Sequence, residues 1–438
     1  MLDLKFILQH PEMVAQNAKN RFKNVDISLL QRLAQQRSDC MKSLEDIRAR
    51  MNINADRVKN ASQDERQEFI REGQELKVQA KDWEGRLREF EEELHLELVR
   101  YPNMLREDVP IGKDDGENEE LRRVGEPPSF DFVPKDHMEL GESLGMIDSD
   151  RASKVSGSRF AYLKGDLVMV ELALVQYALT ELMKEGFTPV LPPHIISTEA
   201  MSAMGYLQHG GEEEVYHLKN DDAVLIGTSE QSIGPMHMDE ILDADQLPLR
   251  YVGFSPCYRR EAGSHGKDVK GILRMHQFDK VEMFSFTTPE NSDKEHTFLL
   301  SMQERMMQGL GLPYRVVRLC SGDIGAPSAR TYDIETWMPG QQKYRETHST
   351  SNTTDFQTRR LKIRYKTKDG TNELAHALNG TMFAIGRMLI ALLENNQRAD
   401  GSVRIPEVLH KWVGKEELRK KEKDKEKIVI HKKTVGFA

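Results

Sequence analysis

The sequence predicts an α+β protein in which a long antiparallel helical arm precedes a domain built on a mainly antiparallel β-sheet. Three observations lead to this prediction. Two long stretches near the N-terminus keep apolar residues at a 3-4 spacing, several later segments alternate in the manner of strands, and helical stretches separate those segments. With 438 residues, the chain is long enough for two or three structural units.

The arm is predicted from two helical stretches that are densely charged apart from their apolar positions. Those positions recur at a 3-4 spacing through both stretches. In the first they are Leu30, Leu33, Cys40, Leu44, Ile47, Met51 and Val58, with Arg37 and Asn54 at two further seam positions, and in the second they are Phe69, Gly73, Leu76, Ala80, Trp83, Leu87, Phe90 and Leu94. A turn around residues 60–63 would fold the helices into an antiparallel coiled coil. The pattern also leaves open a pair of helices in an ordinary bundle.

A linker is predicted after the arm. Tyr101-Pro-Asn103 breaks the second helix, because proline has no amide hydrogen to continue it. The segment from Asp108 to Pro134 is acidic and contains several glycines and prolines, which predicts a connection into a second domain. A largely apolar helix from Asp166 to Glu185 follows, with Gly186 as its stop.

The sheet is predicted from alternating segments at Lys280–Phe286, Tyr314–Leu319 and Tyr332–Met338. Strands of this kind, separated by helices, favour an α+β domain around a mainly antiparallel sheet. Glycines around Ser264 predict a pliable loop between paired strands. The tail from Lys415 to Lys427 mixes both signs of charge, so we interpret it as a solvated helix and assign it no function.

Composition narrows the class of protein. The three cysteines, Cys40, Cys257 and Cys320, are far apart and show no CxxC spacing, which favours a reducing cytoplasm over a disulfide framework. No stretch approaches twenty consecutive apolar residues, so a membrane span is not expected. The net charge of −9 by itself argues against a nucleic-acid partner, but phosphate contacts require only a local basic surface.

The candidate functional residues lie in three polar segments or pairs of segments. They are Gly227–Gln231; Pro256–Ser264 with Gly271–Glu282; and Arg345–Ser351 with Leu378–Arg387. The side chains of Arg259, Arg274 and Arg387 are planar forks that match phosphate oxygens. Glu261 and Glu346 are candidates for contacting a base amino group or magnesium. Because the chain has no Walker-type glycine loop, an ATP site must be built on another plan.

Together these segments resemble the class II aminoacyl-tRNA synthetases, and in particular the seryl-tRNA synthetases of bacterial type. Gly186–Pro193 is similar to class II motif 1, Tyr258–Phe278 to motif 2, and Leu378–Arg387 to motif 3. Further matches lie at Met1–Phe6, Pro134–Gly141, Ser321–Gly325, Asp355–Arg360 and Asp400–Val408. The similarity extends to about Gly414, with the motifs in the same order and at similar spacing. One departure is Ser229, where the family commonly has alanine.

The resemblance implies a domain organisation. A tRNA-binding domain with the coiled-coil arm would occupy residues 1–102, a linker residues 103–135, the class II catalytic domain residues 136–414, and a charged tail residues 415–438. The arm would reach the long variable arm of serine tRNA and hold the distant acceptor end in the active site. Motif 1 would form part of a homodimer interface.

The resemblance also implies the site residues. ATP would be bound by Arg259, Arg260, Glu261, Arg274, Met275, Phe278, Glu346, Thr347, His348, Ser349 and Arg387. Serine would be bound by Thr228, Ser229, Glu230, Glu282 and Thr381. The expected catalytic residues are Arg259, Arg387 and Glu346, and Glu346 with Ser349 would hold the magnesium ion that accompanies ATP. No zinc is expected, because the chain lacks clustered Cys/His ligands.

The predicted activity is serine–tRNA ligation, in which ATP activates L-serine as seryl-adenylate and serine passes to the 3′-terminal adenosine of serine tRNA. Charging of selenocysteine tRNA stays open. One alternative is a paralogue that adenylates a small amino acid for a carrier protein, but such relatives typically lack a helical arm. Another is an inactive, binding-only regulator. Inactive copies usually lose a motif arginine or a pocket glutamate, whereas this chain keeps Arg259, Glu282, Glu346 and Arg387.

Overall fold

The computed structural model describes residues 1–208, 211–262 and 271–420. Its α-helices are α1 Leu4–Gln9, α2 Pro11–Asn20, α3 Ile27–Asn60, α4 Gln63–Leu98, α5 His137–Leu144, α6 Ser149–Ser156, α7 Asp166–Lys184, α8 Thr198–Met204, α9 Glu230–Ile233, α10 Ser292–Leu310, α11 Phe356–Leu361, α12 Ile385–Asn395 and α13 His410–Val413. Its strands are β1 Glu119–Val124, β2 Ile147–Asp148, β3 Tyr162–Leu163, β4 Thr188–Val190, β5 Ile195–Ser197, β6 Ala223–Leu225, β7 Ile241–Asp243, β8 Leu249–Tyr258, β9 Gln277–Thr287, β10 Tyr314–Arg318, β11 Arg330–Met338, β12 Lys343–Thr354, β13 Arg364–Lys366, β14 Asn372–Leu374, β15 His376–Ala384, β16 Val403–Arg404 and β17 Glu417–Leu418. None of the helices in these ranges is long and apolar enough to cross a membrane.

Helices α3 and α4 form the arm as an antiparallel hairpin, which confirms the coiled-coil prediction. Asp26 begins α3 by accepting a hydrogen bond from the Leu29 amide at 2.8 Å, and Ser62 with Glu65 forms a capping box at the start of α4. The buried side chains include the predicted seam residues Leu30, Leu33, Cys40, Leu44, Ile47 and Asn54 of α3 and Leu76, Ala80 and Leu94 of α4. The apolar spacing of the sequence therefore describes the contact between the two helices.

The part of the chain that follows the arm is organised by an eight-stranded sheet in the order β1-β10-β11-β12-β15-β9-β8-β4. Every neighbouring pair in this sheet is antiparallel except β4 with β8. This confirms the prediction of a mainly antiparallel sheet. Helices α7, α10 and α12 contribute Leu174, Leu299 and Leu389 to the main core, where they pack with Val281 and Met283 of β9. This arrangement buries one face of the sheet under helices and leaves part of the other face for a site.

The segment predicted as a linker also supplies the edge strand β1, which pairs with β10. Charged side chains hold this edge, because Glu119 and Glu120 of β1 pair with Arg318 at 2.5 Å and Arg315 at 3.1 Å. Such a strand has little apolar alternation and is therefore hard to detect in the sequence.

Two predictions concern segments that are described only in part. The tail, predicted as a solvated helix, begins instead with β17, which pairs with β16 and buries Leu418. An apolar side chain with a sheet partner explains this difference. Residues 421–438 and the predicted pliable loop around Ser264 lie outside the described residues.

Candidate active site

The centre of the site is one face of β9. Because side chains of a strand alternate between its faces, Phe278, Lys280 and Glu282 share a face, while Val281 and Met283 enter the core beneath it. Phe278 and Lys280 line an open cleft above the sheet, and Glu282 lies buried next to them. The strand therefore presents an aromatic ring, a cation and a carboxylate in a row.

Most of the predicted ATP-binding residues line this cleft. They are Arg259, Glu261, Arg274, Met275, Phe278, Glu346, Thr347 and Arg387. The guanidinium of Arg259 stands 5.4 Å from the centre of the Phe278 ring and donates to the Gly227 carbonyl at 3.1 Å. Arg274 pairs with Glu261 at 3.4 Å. The cleft thus combines a planar aromatic surface with several guanidinium groups, a combination suited to a base and its phosphates.

Arg387 comes to the cleft from the first turn of α12. It pairs with the Glu346 carboxylate at 3.1 Å and donates to the Glu346 carbonyl at 3.0 Å. A Cβ on the neighbouring Gly386 would lie 2.9 Å from the Ile272 carbonyl oxygen, so this helix start requires glycine to approach the cleft wall. Burial opposes ionisation of the Glu346 carboxyl, but Arg387, with Arg259 and Lys280, lowers its pKa below the ordinary value, so the carboxylate stays ionised.

Three of the predicted ATP-binding residues do not line the cleft. Arg260 is exposed, and its backbone amide donates to the Glu214 carbonyl. The His348 ring is fully buried against Phe383, and burial lowers its pKa to about 3, so the imidazole is neutral. Ser349 forms a hydrogen bond with Asp333, which lies opposite it on β11.

Oxygen ligands of the kind that hold a divalent cation lie at and beside the cleft, because Glu346 lines it and Asp333 and Ser349 face each other on the neighbouring strands. Burial raises the pKa of the nearby Asp333 well above its ordinary value, as does the Glu346 carboxylate, and Asp333 Oδ1 has no hydrogen-bond partner among the described residues. Carboxylate and hydroxyl oxygens are ligands that magnesium prefers. No group of three or more His, Cys, Asp or Glu in the described ranges has metal-binding geometry, so a cation here would need oxygens from a nucleotide.

The predicted serine-binding residues form a second, buried part of the site beside the cleft. Thr381 of β15 lies opposite Glu282 of β9 and donates to its carboxylate at 3.2 Å. Glu282 is also ion-paired with Lys280, whose ammonium donates to the Thr228 hydroxyl at 3.1 Å. Burial raises the pKa of Glu282 to about 7, although Lys280 lowers it. This small pocket thus offers both hydrogen-bond donors and acceptors.

Glu230 is fixed in the same pocket by amide and phenol groups. Its carboxylate accepts from Asn379 at 2.9 Å and from Gln357 at 3.2 Å, and it also bonds with Tyr206. Burial raises its pKa, and Lys280 opposes that shift. Ser229, by contrast, is fully buried against Gly253, and no described residue pairs with its hydroxyl. The extra hydroxyl at Ser229 is therefore enclosed beside β8, next to the residue that pairs with Glu282.

Sequence reasoning gave no role to Lys280, Tyr206, Gln357 or Asn379. For Lys280 a signal was present, because a residue two positions from Glu282 must share its strand face. Tyr206 reaches Glu230 from the loop after α8 and Gln357 reaches it from α11, and no sequence spacing predicts such long-range contacts.

The chain matches two family models, one over the arm with the helices that precede it and one over the sheet that carries the site. The seryl-tRNA synthetase N-terminal domain matches residues 1–105, and the class II tRNA synthetase core domain (G, H, P, S and T) matches residues 215–396. The serine–tRNA ligase of Rubrobacter xylanophilus is 46% identical, covering 95% of this chain and 98% of that protein. The corresponding ligase of Treponema denticola is 44% identical, covering 94% and 99%. The chain belongs to the seryl-tRNA synthetase family.

Solved seryl-tRNA synthetases share the whole fold. The crystal structure of the Pyrococcus horikoshii enzyme complexed with ATP has a TM-score of 0.88 and 37% identity, covering 96% of this chain and 100% of that one. The cytoplasmic enzyme of Naegleria fowleri in complex with AMP has a TM-score of 0.84 and 32% identity, covering 96% and 99%. The coverage includes both the arm and the catalytic domain.

Proposed function

We propose that this member of the seryl-tRNA synthetase family ligates serine to tRNA through the cleft and pocket around β9. The observation that carries the proposal is the adjacency of two chemically different sites on one strand. Phe278 and Arg259 lie in an arginine-lined cleft, and Glu282 with Thr381 lies in a buried polar pocket next to it. The cleft suits a nucleotide, and the pocket suits a small hydroxylated amino acid. The α-phosphate of the nucleotide and the carboxylate of the amino acid would then meet between the cleft and the pocket.

In the first half-reaction the chain needs no general base. The serine carboxylate is already ionised at neutral pH, and one of its oxygens forms a bond to the α-phosphorus of ATP while the bond to pyrophosphate breaks. Arg259 and Arg387 would stabilise the phosphate charge, and Phe278 would stack on adenine. Magnesium would arrive with ATP, and Glu346 and Ser349 would hold it. Catalysis is then mainly positioning and charge stabilisation.

Serine would be recognised by its ammonium and its hydroxyl. Glu230 and Thr228 would accept from the ammonium, and Glu282 and Thr381 would serve the hydroxyl. A pocket with buried polar groups rejects alanine, because alanine leaves those groups unpaired. Threonine and valine would be excluded by size.

In the second half-reaction the 3′-hydroxyl of the terminal adenosine of tRNA would attack the mixed anhydride, which forms the ester and releases AMP. The arm would hold the tRNA through basic residues of α3. Two of these basic residues already pair across the hairpin, Arg37 with Glu91 and Arg48 with Glu84, both at 2.9 Å. Lys42 and Arg50 are exposed on the same helix and are the stronger candidates for phosphate contacts.

The defining experiment is ATP–pyrophosphate exchange measured with each of the twenty amino acids. Serine should give the highest kcat/KM, and another amino acid as the best substrate would overturn the proposal. Charging of purified tRNA then separates tRNA ligation from the alternative of a carrier protein. Both selenocysteine tRNA and serine tRNA should be included as substrates.

We also propose a cytoplasmic location, which the three free cysteines favour.

Replacing Thr381 with valine tests the recognition of the serine hydroxyl. Thr381→Val keeps the shape of the side chain but removes its hydrogen bond to Glu282. The KM for serine should rise, and the preference for serine over alanine should narrow by about 1–3 kcal/mol, roughly tenfold to a hundredfold. Exchange kinetics with both amino acids measure this ratio. An unchanged ratio would show that Thr381 has only a structural role.

The raised pKa of Glu282 predicts a pH-dependent affinity for serine. With a pKa of about 7, the carboxylate is mostly ionised at pH 8 and mostly protonated at pH 6. Protonation removes the charged acceptor of the serine hydroxyl, so the KM for serine should rise about tenfold as the pH falls over this range. Glu282→Gln should flatten the profile. A KM in the native protein that is independent of pH would contradict the role of this carboxylate.

A homodimer is also part of the proposal. The motif 1 segment leaves Leu191 81% exposed, and Met169, Leu172 and Met183 of α7 expose apolar surface nearby in the chain. Exposed apolar groups of this kind commonly mark an interface. Light scattering should give twice the chain mass at assay concentration, and a stable, fully active monomer would contradict the dimer.

A further inference from the structure

Arg21 at the end of α2 is a buried cation whose partners are all backbone carbonyls. It is only 2% exposed, and its two terminal nitrogens donate to the carbonyls of Asn103 and Ser328 at 2.9 Å each, of Ile324 at 3.1 Å and of Gly325 at 2.7 Å. No carboxylate of the described residues pairs with it. Burial lowers its pKa to about 10, so the guanidinium keeps its charge at neutral pH.

Those carbonyls belong to two different parts of the chain. Asn103 lies directly after the arm, whereas residues 324–328 form a loop of the catalytic domain. The side chain of Asn103 continues the connection, because its amide donates to the carbonyls of Pro327 and Thr353 at 2.8 Å each. Asn17 of α2 completes it by donating to the Asn103 carbonyl at 3.1 Å and accepting from the Leu105 amide at 3.0 Å.

This set of contacts, the joint of Arg21, Asn17 and Asn103, lies at the base of the arm. Tyr101, Leu98 and Leu30 at that base form one apolar cluster with Ile7 and Val14 of the first two helices. On the other side of the joint, loop 324–328 leads directly into β11, whose Asp333 faces Ser349 across the sheet. The joint therefore connects the base of the arm to the strands that carry the site.

We propose that Arg21 is a positioning residue for tRNA charging, which fixes the angle of the arm relative to the active site. The inference rests on the proposed function, since it requires the arm to bind tRNA. Each arm helix has more than thirty residues and extends roughly 50 Å, so a change of about 5° at the base moves the tip by roughly 4 Å. A planar guanidinium that donates to four carbonyls limits such rotation, and a lysine ammonium lacks this planar fork.

The test is Arg21→Lys, with Lys23→Met as a matched control that removes an exposed cation two residues away. For Arg21→Lys, serine-dependent exchange should stay within about twofold of the native value. The kcat of tRNA charging should fall about tenfold, while the Kd for tRNA should change by less than about threefold, because the arm still binds but presents the acceptor end imprecisely. Lys23→Met should leave all three values unchanged.

Distance measurements between spin labels separate positioning from a general loss of structure. The labels are placed on two exposed positions, Asp64→Cys at the arm tip and Lys294→Cys on α10, so the distance between them reports the arm angle. The three native cysteines are buried, so the labels react mainly with the two introduced cysteines. The distance distribution should broaden in Arg21→Lys and stay narrow in Lys23→Met. Asn17→Ala, which removes two bonds of the joint and leaves Arg21, should show a smaller effect of the same kind and serves if Arg21→Lys does not fold.

The outcomes distinguish the two proposals. If removal of the arm leaves tRNA charging intact, the role of the arm in the proposed function fails. If removal of the arm abolishes charging but Arg21→Lys charges tRNA with native kcat and a narrow label distance, the positioning role of Arg21 is wrong. A tRNA Kd that rises in parallel with the loss of charging would likewise overturn it, since Arg21 would then support binding rather than orientation.

Discussion

Arg387→Ala should lower the kcat of serine-dependent ATP–pyrophosphate exchange by about two to three orders of magnitude. Arg387 is 24% exposed at the cleft, and its guanidinium pairs with Glu346 at 3.1 Å. When ATP binds, this fork would neutralise the outer phosphates, and alanine has no group that can replace it. Exchange with saturating serine and ATP measures the effect on the chemical step.

Two further variants make the expectation for Arg387 specific. Arg387→Lys keeps the charge but lacks the bidentate fork, so it should recover little of the lost activity. Arg398→Lys changes another arginine of the catalytic domain, one that pairs with Glu417 on the surface, and should behave like the native protein. Exchange within a few-fold of native in Arg387→Ala would show that Arg387 does not stabilise the phosphates.

Replacing Leu33–Leu94 with a short linker should leave exchange nearly intact and lower the kcat/KM of tRNA charging by on the order of a hundredfold. Leu33 and Leu94 lie in the same apolar cluster at the base of the arm, so the chain ends left by the deletion are close enough for a short connection. The deletion removes Lys42, Arg50 and the other basic residues of α3. Each lost phosphate contact weakens binding, and the loss should be greatest at low salt.

The truncated protein contains its own control, because exchange activity and the temperature of unfolding of the catalytic domain report whether that domain is intact. A charge-reversal variant of the full-length arm, Lys42→Glu with Arg50→Glu, should reproduce part of the defect without any deletion. The salt dependence of tRNA binding should also become weaker in this variant. If the truncated protein charges tRNA at normal efficiency, the arm does not recognise tRNA and a carrier-protein substrate would gain support.

Local sequence patterns predicted many of the helices and strands. The 3-4 spacing predicted α3 and α4, because the buried face of a helix in a coiled coil must repeat at that interval. Alternation predicted β9, β10 and β11, which have at least one buried face. The charged strand β1 was not predicted, since ion pairs and backbone bonds to β10 hold it in place of apolar packing.

The chemistry of the site divides in the same way. The sequence alone predicted Arg259, Phe278, Glu282, Thr381 and Arg387 as site residues, because their motifs resemble those of a known family and their side chains suit a nucleotide and an amino acid. Only the tertiary structure placed Glu282 opposite Thr381, since the pairing of β9 with β15 joins residues about a hundred positions apart.

The same limit applies to the residues that hold the site and the arm in place. Lys280 could be inferred from strand alternation, but the contacts of Gln357 and Tyr206 with Glu230 arise only when distant elements pack together. Arg21 is an extreme case, because its partners are backbone carbonyls that carry no side-chain signature in the sequence. Local periodicity and motif chemistry thus predicted most of the elements and the candidate site residues. Long-range packing decided the burial, the ionisation and the mutual orientation of those groups, because each depends on neighbours that are remote in the chain.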